Sequence, residues 1–238
     1  MPTIRDEAVC VRHWDFSETS QTVSLLLRNH GLIRGLAKGA RRDRGSFSGG
    51  FDLFTRGEIV AIVKPGRELA TLTEWSLLET YPVLRRSASA NRVAWFVADM
   101  IGRFLHQPEP HPATWDATVT AFRDLDAGAP VSHVILSFQW RILCDLGYRP
   151  RLDLEGLDGD TVAFSSESGG VVEDTGGGDR WRVRRATIQL LATIDGLGGG
   201  IPDEVDADSV ERASRLLAAW TRDLLGTESV PMRLLFGS

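Results

Sequence analysis
The chain begins with hydrophobic positions that repeat every second residue. In Thr22-Val23-Ser24-Leu25-Leu26-Leu27, the side chains of Val23, Leu25 and Leu27 fall on one face, as in a strand with one buried side. Asn29-His30-Gly31 reads as a turn. In the next run Arg34, Leu36 and Lys38 share one face, and Ile33, Gly35 and Ala37 the other. Small residues on an inner face suit a tightly curved barrel. Ile59, Ala61 and Val63 alternate with Val60 and Ile62, Pro65-Gly66 is a turn, and Leu69–Trp75 makes a further strand. With Ala8–Trp14 in front, five short strands fit within residues 1–80, and a small barrel of the OB type closes them.

After Tyr81-Pro82 the period becomes helical. Val93, Phe96, Met100 and Phe104 stack on one stripe, as do Trp115, Val119 and Phe122. Val131, Ile135, Phe138, Ile142 and Leu146 mark a third helix, opened by Pro130 and stopped by Gly147. Two more helices are expected over Val183–Leu197 and Asp208–Leu225. The last is expected to be capped by Asp208, with Glu211 completing a capping box. Within this helical part, Arg149–Asp179 is poor in apolar residues, rich in Gly and Asp, and holds one strand-like piece, Thr161–Phe164. The expected class is therefore α+β: an OB barrel over 1–80, then a helical domain over 81–238 with an irregular insertion at 149–179. There is no internal repeat, and the glycine triplets at 176–178 and 198–200 read as loops.

Hydrophobic residues make up 42% of the 238 and charged ones 25%, enough to bury a core. No apolar run approaches the roughly 20 residues of a membrane span, and Met1–Glu7 lacks the apolar stretch of a secretory signal. A cytoplasmic protein with no membrane partner is expected. The two cysteines, Cys10 and Cys144, exclude a disulfide framework and a four-cysteine zinc site. The net charge of −5 is unevenly spread: residues 1–92 hold 14 Lys/Arg against 10 Asp/Glu, and the rest hold 13 against 22. A basic working face on the first part and a different task for the second follow from this asymmetry.

The strongest chemical feature lies at the end of the third strand. Arg34, Lys38, Arg41, Arg42 and Arg44 stand against one acid, Asp43, and lead into the glycine-rich Gly45–Gly50. A basic loop beside a curved β face can track a phosphate backbone, with counterion release driving the binding. The alternative is a solvated basic loop without a ligand. Phe47, Phe51 and Phe54 either stack on bases or complete the barrel core. No nucleophile elbow, P-loop or dinucleotide fingerprint occurs. The five histidines, His13, His30, His106, His111 and His133, are scattered and belong to no metal or nucleophile motif.

Several of these segments resemble the bacterial RecO family of recombination mediators. They are Phe16–Ser20, Gly31–Arg42 with its Lys38-Gly39-Ala40-Arg41-Arg42 run, Gln139–Pro150 ending in Gly147-Tyr148-Arg149-Pro150, and Phe164–Val172 with Gly169-Gly170-Val171. They occur in the family's order along nearly the whole chain. The resemblance implies an OB-fold followed by a helical domain, binding of ssDNA and dsDNA, strand annealing, and no cofactor chemistry. It implies as partners a RecR-type protein, a single-strand-binding protein and a RecA-type recombinase, and it gives the basic loop a phosphate-binding role. The chain departs from the family where many members place two Cys-x-x-Cys pairs for zinc. Here Glu155, Asp158, Glu173 and Gly176 occupy those positions, and they lack the thiolates a structural zinc needs. A metal-free loop that keeps the hairpin is expected there, with hard-cation binding by Glu155, Asp158 and Glu173 as the alternative. Two further readings stand beside the mediator: a protein–protein adaptor with little DNA affinity, and a carboxylate–metal hydrolase built on those three acids.

Overall fold
The computed structural model describes residues 2–41, 46–47, 49–64, 66–174 and 180–237. The five expected strands are β1 (Thr3–Asp15), β2 (Gln21–Leu27), β3 (Gly31–Ala37), β4 (Arg56–Ile62) and β5 (Ala70–Glu79). They close into a barrel in the order β1-β2-β3-β5-β4, with β1 pairing β4 to complete the ring. All neighbours are antiparallel except β3 and β5, which run parallel. This is the OB arrangement. Its interior is filled from the face the alternation marks: Val23, Leu25, Leu27, Ile33, Ala37, Ile59 and Ala61 are buried together with Leu72 and Trp75. The inner position of Gly35 has a direct steric cause. A Cβ there would stand 2.6 Å from the Leu72 side chain, so the barrel closes only because Gly35 has none.

Where β1 bulges between Cys10 and Arg12, the chain before β4 takes over its hydrogen bonds. Phe54 N–H donates to Cys10 O at 2.8 Å, and Cys10 N–H donates to Thr55 O at 3.0 Å. Phe54 pays for this with φ +60°, uncommon for a residue with a side chain. Its ring packs edge-on against Trp95 and Phe122, at 5.2 and 5.7 Å between centroids. Those partners come from α2 (Ala88–Phe104) and α3 (Pro112–Asp126), which follow the short α1 (Val83–Arg86). Val93, Phe96, Met100, Trp115, Val119 and Phe122 are all buried, as the helical period predicts.

By its contacts the chain divides into two compact units, Met1–Ala127 and Gly128–Ser238. The expected division at 80/81 follows the change from strand to helix, whereas the first compact unit also takes in α1–α3. The second unit contains α4 (Val131–Asp145), α5 (Arg185–Gly196), α6 (Ala207–Leu225) and α7 (Val230–Phe236). Phe138 and Ile142 of α4 and Val210, Ala213, Leu217 and Trp220 of α6 are buried on the expected stripes. The hairpin in the 149–179 segment is present as β6 (Thr161–Ser165) and β7 (Gly170–Val172), paired antiparallel.

The second unit also holds structure that the pattern does not announce. A third strand, β8 (Arg180–Arg184), joins β6 to give a sheet ordered β7-β6-β8. The helix expected from Val183 therefore starts at Arg185, and Val183 belongs to the strand. Trp181 fixes this boundary by stacking on Phe164 at 5.7 Å. The cap of α6 is Asp206, not Asp208: the Asp206 carboxylate accepts from Ser209 N–H at 2.9 Å. Asp208 lies in the first turn, where the helix dipole favours an acid.

Candidate nucleic-acid interface
The register across β1, β2 and β3 builds an outward face. Arg12, Ser24 and Arg34 stand in one row, with Trp14, Thr22 and Leu36 in the next. Alternation turns these residues outward while His13, Val23 and Gly35 turn toward the interior. Arg34 and Lys38 are exposed. The chain leaves β3 through Gly39, whose φ of +70° permits the turn. Two contacts fix this exit to the β1–β2 connection: Gly39 N–H donates to Ser20 Oγ at 3.3 Å, and Arg41 N–H to Thr19 O at 3.1 Å. On the far side of the loop, Trp75 N–H donates to Ser46 O at 2.7 Å.

Three of the five predicted basic residues, Arg34, Lys38 and Arg41, thus lie along β3 and its exit. Arg42 and Arg44 lie outside the described residues. Two of the three are matched by carboxylates. Arg34 Nη1 is 2.7 Å from Glu68 Oε1, and Arg41 Nη2 is 2.5 Å from Asp15 Oδ1. Lys38 makes no ion pair or hydrogen bond among the described residues. All these side chains are well exposed, so the pairs are weak in water, typically below about 1 kcal/mol each. A phosphate can compete for the same guanidinium N–H groups, because two of its oxygens can accept from one edge of the guanidinium as a carboxylate does. Arg28, just after β2, and Arg56 of β4 both pair with Glu7, and Arg56 also pairs with Glu79.

The aromatic residues of the loop are core. Phe47, Phe51 and Phe54 are each 6% exposed or less, and Phe51 packs on Trp75 at 4.8 Å. Stacking on bases is therefore not open to them in this fold. Among the described residues of the barrel, 1–80, the exposed aromatics are Trp14 and Phe16, at 43% and 64%. Sequence reasoning passed over both. The signal lay in the alternation of Arg12, Trp14 and Phe16 past the turning point of β1, and assigning Trp14 to a strand did not settle which way it faced.

Glu155, Asp158 and Glu173 are exposed. Among the described residues no three His, Cys, Asp or Glu side chains gather as a metal site. The tri-carboxylate centre needed by the hydrolase reading is not assembled there. No helix among the described residues is long and apolar enough to cross a membrane.

A closed five-stranded barrel with a basic exit from its third strand, followed by a helical C-terminal part, places the chain among OB-type proteins. Comparison with known proteins narrows the class. The chain matches the family model "Recombination protein O N terminal" over residues 1–81 and "Recombination protein O C terminal" over residues 85–230. The chain belongs to the RecO family. A DNA repair protein RecO of Rhodopirellula baltica is 36% identical over 172 residues, covering 69% of this chain and 64% of its own length. The protein of that name from Salinibacter ruber is 31% identical over 79% of this chain and 75% of its own length. The one from Roseiflexus is 27% identical over 98% of this chain and 84% of its own length.

Proposed function
We propose that the protein is a non-enzymatic recombination mediator of DNA repair, working in the cytoplasm without a cofactor. The barrel binds ssDNA and dsDNA by their backbones at Arg34, Lys38, Arg41, Arg42 and Arg44. It promotes strand annealing and, with a RecR-type partner, helps to load a RecA-type recombinase onto ssDNA coated with single-strand-binding protein. An OB domain over 1–80 and a helical domain over 81–238 share these tasks.

The observation that carries this reading is the placement of Arg34, Lys38 and Arg41 along one strand and its exit on an OB barrel. OB barrels hold strands on this face and on the adjoining loops. Membership of the RecO family supports it, as do the names of the relatives. The adaptor reading is favoured by a different observation: Arg34 and Arg41 are already matched by Glu68 and Asp15, on a chain of net charge −5. Titration of labelled ssDNA at a series of salt concentrations separates the two. The mediator binds at low salt and loses affinity steeply as salt rises; the adaptor does not bind.

A further inference from the structure
We propose that Trp14 is a base-stacking platform for single-stranded nucleic acid, and that the Arg34–Glu68 pair is a displaceable cover on it. This rests on the reading of the barrel given above and adds to it how bases, not only phosphates, are held. Trp14 projects from the outward face of β1 with 43% of its surface in water. Beside it runs a groove of about 340 Å³, lined by Arg12, Trp14, Ser24, Leu32 and Arg34 among others. Phe16, two residues further on, is still more exposed. A large aromatic residue held open on a β face beside Arg34 offers a base both a π surface and a neighbouring cation for its phosphate; Arg12, on the other side, is held by Asp99 of α2 at 3.5 Å.

The cover is visible in the contacts. The Arg34 guanidinium lies 5.8 Å from the centre of the Trp14 ring, within cation–π range. Glu68 holds that guanidinium at 2.7 Å, and the Glu68 side chain is itself 77% exposed. A strand phosphate arriving at Arg34 takes the place of the Glu68 carboxylate, which swings into water. The base attached to that phosphate then reaches the Trp14 ring. Glu68 thus competes with the strand. Its charge lowers affinity for every single strand, whereas Trp14 raises affinity only for strands that carry bases.

The test compares an oligothymidylate with an abasic oligomer of equal length and equal phosphate count. The full chain is used, and wild type, Trp14→Ala, Trp14→Phe and Glu68→Gln are first checked for matching thermal unfolding. Wild type should prefer the base-bearing strand by about thirtyfold, the middle of the range for one stacked base. Trp14→Ala should lose that preference by weakening on oligothymidylate alone, and Trp14→Phe should keep part of it. Glu68→Gln should tighten both oligomers by a similar factor. Equal wild-type affinity for the two oligomers would overturn this inference alone, as would a preference that survives Trp14→Ala or a Glu68→Gln variant that binds no tighter. Binding to neither oligomer would overturn the parent reading and this inference with it.

Discussion
Gly35 and Arg34 are neighbours in the chain with opposite tasks. Gly35 faces the barrel interior, where the Leu72 side chain fills the space a Cβ would need. Gly35→Ala should therefore destabilise the protein by about 1–3 kcal/mol, the usual cost of overpacking a filled core. Urea unfolding followed by tryptophan fluorescence measures it. Combined with Leu72→Ala, Gly35→Ala should cost less than the two changes measured separately and added, because the two side chains share one volume. The two-residue period in Leu32–Lys38 made this division of faces legible from sequence. The site was legible in the same way as far as Arg34 and Lys38. It was not legible at Trp14. A tryptophan in a strand of this size is more often core, and only the register with Thr22 and Leu36 shows it on the open face.

Between elements, the main polar link in the first unit is a chain of charges. Glu7 of β1 pairs with Arg56 of β4, Arg56 with Glu79 of β5, and Glu79 with Arg123 of α3 at 2.9 Å. The Arg123 hydrogen bonds, aided by Arg56 and opposed by burial, hold the Glu79 carboxyl down from 4.5 to about 2. A folded-state value below the ordinary one stabilises the fold above the ordinary value, and the contribution is lost as pH falls toward the folded value. Thermal unfolding of wild type should therefore lose stability between about 4.5 and 2 more steeply than that of Glu79→Gln, and the two should run parallel above that window. Thermal scans in a pH series would check this. Neither β8 nor the cap at Asp206 could be read from local pattern. Arg180-Trp181-Arg182-Val183-Arg184 alternates over only two apolar residues and runs directly into a helix. It becomes a strand because Phe164, distant in sequence, supplies the partner ring for Trp181. Asp206 and Asp208 both stand where α6 begins, and what selects Asp206 as the cap is the reach of its carboxylate to Ser209 N–H.

For the molecule as a whole, the uneven charge along the chain is the sequence property that bears most on function. The basic excess lies in residues 1–92, on a protein that is acidic overall; Arg85, Arg86 and Arg92 of α1 and α2 supply much of it, and the outward face of β3 displays part of the rest. Family membership was legible because long motifs stand in order. That no four-cysteine site can form was legible because cysteine can be counted. The masking of Arg34 and Arg41 by carboxylates was not, because Glu68 and Asp15 come from other turns of the barrel. That masking makes the salt response of binding the sharpest measure of what the loop does. Phosphate contacts position a strand without reading its bases. The measurement is therefore the dependence of ssDNA affinity on salt for wild type and for the Lys38→Ala, Arg41→Ala double variant, both verified as folded. Two lost contacts should make the slope of log K against log salt shallower by about 1.4, at about 0.7 per contact on a single strand, and should weaken binding alike on every sequence. A folded double variant that keeps the wild-type affinity and slope would contradict the account and remove Lys38 and Arg41 from the binding site.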